Sequence, residues 1–541
     1  MSSRLSNLTG HLAALGQSPN HSQLDPLAFL HRSTALFPTL PAILHDNVRL
    51  SYKQFNERVL ALTHALLGLH LPPGSRIAYM CWNDLPMYEA HFGVLAAQHI
   101  LVAINTRVLE QDVAYILQHS GASVFVVEAE LKHLIPPLEG VRVIVVGQQG
   151  PQGYDAFLAS GNQAATSLGW AAVPPCADEN ATATICYTSG TTGRPKGVML
   201  TRRGAYLAVL SNIIHARLDE RSVFLWTLPM FHCNGWTFVW ATIAAGACNI
   251  MLPKIDYDKV WKHLIHNKVT HYNAAPTVQI AVVNHPHARK LDTLVRTTVA
   301  GSPPTPTVIA KLRSLNIEPI HVYGLTETYG PCTICQWQPD WDTLAPQQLS
   351  KLVARQGHGY IANEQVRVVD EHMNTVPSDG KSMGEVVFRG NIVMKGYYND
   401  PDATAKAFKG GWFHSGDVAV CHPDGYIELK DRSKDIIISG GENISTIELE
   451  NYISKHDNVL ECAVIGIPHD TWGETPKAFV VVKTSRHNMD REIIEYCKKG
   501  LAGFKRPRHV EIVQELPKTS TGKIQKYVLK NKAWKGQARI H

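Results

Sequence analysis

Apolar positions along the first 420 residues switch between two periods. The stretch "SYKQFNERVLALTHALLGL" opens on Ser51 with Gln54 three residues on, the spacing of a capping box, and Phe55, Val59, Leu62 and Leu66 then share one helical face. Between such helical patterns stand compact apolar runs: "RIAYMC", "SVFVVE", "RVIVVG", "VFLWTLP", "CNIMLP", "THYNAA" and "EPIHVYG". These read as buried strands, and strand–helix alternation at this period predicts α/β units around largely parallel sheets. Near Glu385 the texture changes, and "EVVFRG" and "GYIELKD" read as an antiparallel β module. After "LKDRSKDIIISGGEN" the chain starts a new pattern: helix-like "STIELENYISKH", strands "CAVIGIP" and "AFVVVK", then helix-like "DREIIEYCKKGL". That is a small α+β domain. The predicted fold class is therefore α/β. An extension covers 1–25, a large unit of stacked α/β sheets plus a β module 26–430, a linker 431–436, and a small α+β unit 437–541.

Composition narrows the class of protein. A chain of 541 residues is too long for one compact core. With 45% apolar and 18% charged residues it belongs with folded proteins rather than disordered ones. The net charge of +6, from 52 basic and 46 acidic residues, is too mild to imply nucleic acid, and no long basic run adds to it. The ten cysteines are irregularly spaced; Cys332 and Cys335 form one CxxC, but no second Cys/His pair stands at zinc spacing, so both read as reduced thiols. No run reaches the roughly 18 apolar residues of a membrane span. The closest, Phe238 to Leu252, is broken by Thr242, Gly246 and Asn249. The expectation is a soluble enzyme without a transmembrane segment.

Two loops carry candidate chemistry. "YTSGTTGRPKG" (187–197) packs three glycines, a run of hydroxyls and Lys196 after the apolar-leaning "ATATIC". Its spacing is not that of a Walker loop. Glycines bring backbone N–H groups close to phosphate oxygens, Thr188, Ser189, Thr191 and Thr192 add hydroxyl donors, and Lys196 adds a point charge. The second loop, "PKTSTGK" (517–523), ends on Lys523 in the small unit.

With "LPMFHCNGW" (228–236), "AGSPP" (300–304), "YGLTET" (323–328), "GWFHSGD" (411–417) and "DRSKDIIISGGENIS" (431–445), these loops make seven motifs in order. The chain resembles the adenylate-forming superfamily of acyl-CoA synthetases, peptide-synthetase adenylation domains and luciferases from about residue 30 to 530. The resemblance implies ATP, Mg²⁺ and CoA as cofactors or substrates and a carboxylic acid as partner. It implies that Thr188 to Gly193 (with Gly190) and Lys196 hold the β- and γ-phosphates. Gly301, Ser302, Tyr323, Gly324, Leu325 and Thr328 would also bind ATP, Tyr323 stacking on adenine, while Thr326 would donate to the α-phosphate. Glu327 would ligate Mg²⁺, and Asp417 with Arg432 would hold the ribose. Joining two anions needs a bridging cation, and the family implies Lys523 for it. Lys434 is the implied hinge, after whose rotation Gly440, Gly441, Glu442 and Asn443 line the channel for CoA. His232 is implied as the gate of the acyl site. "FKRPRHV" (504–510) is a basic cluster that either contacts CoA phosphates or is a solvated charge run.

The expected acyl pocket is Cys233, Asn234, Gly235, Trp236, Val239, Trp240, Thr298 to Gly301 (with Ala300) and Tyr323 to Leu325. "FHCNGW" is like that of enzymes taking medium-chain fatty acids or benzoate- and cinnamate-type acids, and an apolar slot serves both. The activity this implies is an acid–CoA ligase. An adenylating enzyme loading another acceptor, such as a carrier protein, and a non-catalytic nucleotide-binding scaffold are the alternatives. Finally, "RLSNLTGHL" (4–12) resembles an N-terminal peroxisomal targeting signal, with Leu5, Leu8, Leu12 and Leu15 on one face for an import receptor. The first 24 residues also lack Asp and Glu, which keeps a mitochondrial transit peptide as a rival, beside a cytosolic protein with a plain amphipathic start.

Overall fold

The computed structural model describes residues 20–188, 194–301, 304–363, 365–439, 442–469, 471–519 and 523–534. The signal-like segment, residues 189–193 of the first loop, Ser302, Gly440, Gly441 and residues 520–522 lie outside them.

The capping box forms as the spacing predicts. Gln54 N donates to Ser51 Oγ at 3.2 Å and Ser51 N to Gln54 Oε1 at 2.8 Å, opening helix Tyr52–Leu67. Phe55, Val59, Leu62 and Leu66 are all fully buried. With helices Leu85–Ala96, Arg202–Ala216 and Phe238–Ala245 they fill the space between two large sheets.

The seven-stranded sheet runs Gly396–Tyr397, Lys196–Thr201, Thr182–Thr188, Ile100–Ala103, Arg76–Met80, Ala122–Glu128, Arg142–Val146. The nine-stranded sheet runs His358–Gly359, Gly330–Ile334, Ile317–Leu325, Val295–Val299, His271–Ala274, Val223–Leu225, Cys248–Ile250, Pro41–His45, Val48–Ser51. Central neighbours are parallel and antiparallel pairs stand toward the edges. Helix Glu110–Ser120 covers the outer face of the first sheet, and helices Tyr257–His266 and Pro276–Val283 that of the second. The β module is a four-stranded antiparallel sheet of Gln365–Val369, Met383–Arg389, Phe413–Cys421 and Ile427–Arg432.

The smaller C-terminal unit has its own five-stranded sheet, with Gly473–Val482 at its centre and Val459–His469 along one edge. Helices Thr446–Ile453 and Met489–Lys498 pack on one face, Lys526–Trp534 on the other. The architecture is thus α/β with a large N-terminal and a smaller C-terminal unit.

Some strands end earlier than their apolar runs. "VFLWTLP" is a strand only at Val223–Leu225, because Asn83 Nδ2 donates to Trp226 O and Leu228 O (3.1 and 2.8 Å) and bends the chain away. Phe238 to Leu252 divides into helix, a left-handed Gly246 and strand Cys248–Ile250, all inside the core. Among the described residues no helix is long and apolar enough to cross a membrane. Cys332 and Cys335 are buried free thiols, each pushed up to about 12 by burial.

Candidate active site

The first loop closes an antiparallel hairpin. Thr188 and Lys196 stand opposite each other at its mouth, on strands Thr182–Thr188 and Lys196–Thr201. Edge strand Gly396–Tyr397 joins the same sheet and puts the Tyr397 ring 4.7 Å under the Lys196 ammonium. The Tyr397 hydroxyl donates to Glu327 Oε1 at 2.9 Å, and Met394 N to Glu327 O at 2.7 Å. One tyrosine therefore joins the hairpin lysine to the carboxylate of "YGLTET". Sequence reasoning missed it; the only signal was its place in "KGYYND", where Gly396 lets the chain turn.

"YGLTET" leaves strand Ile317–Leu325. A Cβ on Gly324 would stand 1.8 Å from Gly330 O, so glycine is required where the two strands cross. Thr326 accepts from Cys233 Sγ at 3.4 Å. Thr328 is fully buried; its hydroxyl accepts from Leu325 N and donates to Gly330 O, both at 2.9 Å. Thr328 thus shapes the loop from within, while Leu325, Thr326 and Glu327 beside it are half-buried.

The centre of charge is Asp417, 4% exposed on strand Phe413–Cys421. Arg432, its partner across the sheet, holds Oδ1 through Nε at 2.8 Å, and the Tyr323 hydroxyl donates to Oδ2 at 2.5 Å. Each carboxylate oxygen keeps a free lone pair for a further donor. Burial and the Asp417 charge push the Tyr323 phenol up, and the Asp417 carboxylate raises the Arg432 guanidinium. Gly416 N donates to Glu385 Oε1 at 2.9 Å, which anchors the turn before Asp417.

Lys523 of the C-terminal unit lies within electrostatic reach of this centre. Its backbone N donates to Thr519 Oγ1 (3.0 Å) and its carbonyl accepts from Thr519 N (2.7 Å). The Arg432 charge, ahead of desolvation, holds its ammonium down at about 8, against the opposing pull of Asp417 and Asp435. His232 is half-buried, and burial followed by the Lys523 charge holds it at about 4, so it is neutral at physiological pH. Lys434 lies in the turn after Arg432, where Asp435 N and Ile436 N donate back to Arg432 O at 2.8 and 3.1 Å. Its carbonyl accepts from Lys530 Nζ at 2.8 Å, and burial lowers its ammonium. Glu442 is exposed on strand Glu442–Ile444, which also carries Asn443.

The expected acyl-pocket residues are closely packed. Asn234 and Trp240 are fully buried. A Cβ on Gly235 would meet Trp226 Cζ3 at 2.8 Å and Val239 Cγ1 at 3.3 Å, inside the core. Trp236 lies against Gly330, where a Cβ would stand 3.1 Å from its Cδ1. These residues form a packed layer that begins directly after His232. Ala300 is buried, while Gly301 is exposed with φ 95°, close to Ala275. Beside that segment a cavity of about 480 Å³ opens between the units, lined by Leu228, Pro229 and Ala275 on one side and Leu460, Lys518 and Thr519 on the other.

Cations, hydroxyls and two carboxylates from both units thus converge on a site that suits an anionic, ribose-bearing ligand. Fold and site define a two-unit α/β enzyme. The sequence matches AMP-binding enzyme over residues 30–398 and the AMP-binding enzyme C-terminal domain over 448–523, and the chain belongs to the AMP-binding enzyme family. It is similar to the peroxisomal acetate/butyrate–CoA ligase of Arabidopsis thaliana, 41% identical over 551 residues and 95% of each chain. It is also similar to the peroxisomal trans-cinnamate:CoA ligase of Petunia hybrida, 38% identical over 550 residues and 95% of each chain. In fold it is similar to an anthranilate CoA ligase in complex with anthranoyl-AMP, with a TM-score of 0.84 at 24% identity, covering 95% of this chain and 98% of that one.

Proposed function

We propose that this enzyme is an acid–CoA ligase. A carboxylate oxygen of the acid attacks the α-phosphorus of ATP and the bond to pyrophosphate breaks; the thiolate of CoA then attacks the acyl carbon and AMP leaves. The observation that carries this reading is the Asp417 carboxylate held between Arg432 (2.8 Å) and Tyr323 (2.5 Å), within electrostatic reach of Lys523 from the small unit. A cation on a separate unit can bridge two anions for the first step and withdraw for the second.

Thr188, Lys196 and the loop between them hold the leaving phosphates. Thr326 donates to the α-phosphate, Asp417 accepts from ribose hydroxyls through its free lone pairs, and Tyr323 flanks the adenine while orienting Asp417. Glu327 is the residue for Mg²⁺. One hard carboxylate, with no cluster of three metal-ligating side chains among the described residues, suits an ion that takes most ligands from phosphates and water. When bound, the ion neutralises charge developing on the phosphates. The turn at 432–436 with Lys434 is the hinge between units at 26–430 and 437–541. Its rotation brings Glu442, Asn443 and the preceding glycines to the CoA channel.

The acid is apolar and of butyrate to cinnamate size. Relatives named for butyrate, cinnamate and benzoate support that range, as does the small Ala300–Gly301 segment beside the inter-unit cavity. Several of those relatives are named peroxisomal, which supports residues 4–12 as an import signal for a peroxisomal receptor. ATP–pyrophosphate exchange across a panel of carboxylic acids tests the function. Exchange that requires an acid and favours butyrate- or cinnamate-type acids is expected; no exchange with any acid would sink it.

A further inference from the structure

Five consecutive residues, Cys233 to Thr237, have positive φ (42°, 45°, 55°, 53° and 63°). Four are not glycine, and Thr237 is β-branched. Left-handed backbone is unfavourable for an L-residue, whose Cβ crowds the following carbonyl oxygen, so the surroundings must fix this turn firmly. Two asparagines do so. Asn212 Nδ2 donates to Trp236 O (2.8 Å) and Thr237 Oγ1 (2.7 Å). The Asn234 side chain is held on both sides: Oδ1 accepts from Thr184 Oγ1 (2.6 Å) and Cys186 Sγ (3.2 Å), and Nδ2 faces His91 Nε2 at 3.1 Å.

His91, fully buried on helix Leu85–Ala96, is absent from every motif of the site. Its Nδ1 lies 2.7 Å from Met87 O. A carbonyl only accepts, so Nδ1 carries the proton and Nε2 offers a lone pair. That lone pair is the acceptor Asn234 Nδ2 needs, and it fixes which way the amide points. The Trp240 indole N–H donates to His91 O at 3.0 Å, tying the following helix to the same residue. The turn begins directly after His232, and Cys233 Sγ reaches Thr326. We propose that His91 is a positioning residue for the acid substrate: through Asn234 it locks the left-handed turn that sets His232 and the layer beneath the acyl site, while Asp417, Arg432 and Tyr323 on the ribose side are held by bonds of their own. This inference rests on the acid–CoA ligase reading.

The test starts from wild-type enzyme whose pyrophosphate exchange depends on an acid; its absence would fail the ligase reading and not this one. His91→Phe keeps the volume and removes the acceptor. The acid KM is expected to rise at least tenfold while the ATP KM stays within twofold, and His91→Gln, which can again offer an oxygen, to recover most of the loss. Equal changes in both KM values, or none, would overturn the proposal. Asn234→Asp decides the matter if His91→Phe does not fold. It sets a carboxylate against the His91 lone pair, so a proton taken up between them is needed to restore the bond. The other titratable groups facing the pair, Cys186, Cys233 and Tyr329, are pushed up by burial and stay protonated. The acid KM of Asn234→Asp is expected to fall as pH drops from 8 to 6, and that dependence to vanish in Asn234→Asp/His91→Gln. A flat profile, or one unchanged in the double variant, would overturn it.

Discussion

The nucleotide side and the acyl side of this site are built by opposite means. Around Asp417 the backbone is regular antiparallel sheet, and the work is done by charge: Arg432 on one carboxylate oxygen, Tyr323 on the other, Lys523 arriving from the second unit. Around Asn234 no charged group takes part. Neutral hydrogen bonds from His91, Thr184 and Asn212 hold five residues of left-handed backbone. A polyanion is recognised by fields that tolerate small displacements, whereas an apolar acid is recognised by shape, which needs a rigid floor.

The largest effect that separates the two sides is expected for Lys523→Ala. Removing one preorganised donor costs about 3 kcal/mol, so acyl-adenylate formation should fall by more than a hundredfold. Thioester formation from supplied acyl-AMP should be largely spared, and equal loss in both half-reactions would break the distinction. The same lysine gives a pH dependence with a definite sign. Held at about 8, it is charged below that pH and neutral above it. The kcat/KM for ATP should therefore fall towards tenfold per unit above pH 8, and a profile flat to pH 10 would contradict the Arg432 influence.

Asp417→Asn mirrors the His91 substitution. Losing a charged hydrogen-bond partner costs about 1.5–3 kcal/mol, so the ATP KM should rise ten- to a hundredfold with the acid KM unchanged. Gly235→Ala probes the floor itself. Its methyl would meet Trp226 in a turn that already has φ 55°, and overpacking of this kind costs about 1–3 kcal/mol. The urea midpoint should fall; an unchanged midpoint would mean the turn relaxes freely. The smallest effect is expected for Tyr397→Phe, where loss of the bond to Glu327 should remove about 1 kcal/mol and raise the Mg²⁺ concentration for half-maximal rate severalfold.

This division also explains what was legible in the sequence. Charge chemistry is written in residue identity: Lys196, Glu327, Asp417, Arg432 and Lys523 each stood out within a motif, and apart from the first loop's tip the structure brings their surroundings together. Helix Tyr52–Leu67 was legible because its cap and apolar face are local signals. The layer beneath the acyl site was not. The motif of Asn234, Gly235 and Trp240 marks an apolar, aromatic neighbourhood, but that pattern does not say how its turn is built. Left-handed backbone at Trp236 and Thr237 opposes local propensity and is imposed by Asn212 and His91, far away in the chain. Tyr397 was missed for a related reason, since its role comes from an edge strand pairing with Lys196–Thr201.

A quenched single turnover tests the central claim most directly. Enzyme in excess over ATP, with butyrate or cinnamate, should accumulate bound acyl-AMP and release pyrophosphate in one burst, and adding CoA should convert that acyl-AMP to thioester and AMP. Acyl-AMP that persists after CoA is added would contradict the account, because the adenylate would then be meant for another acceptor.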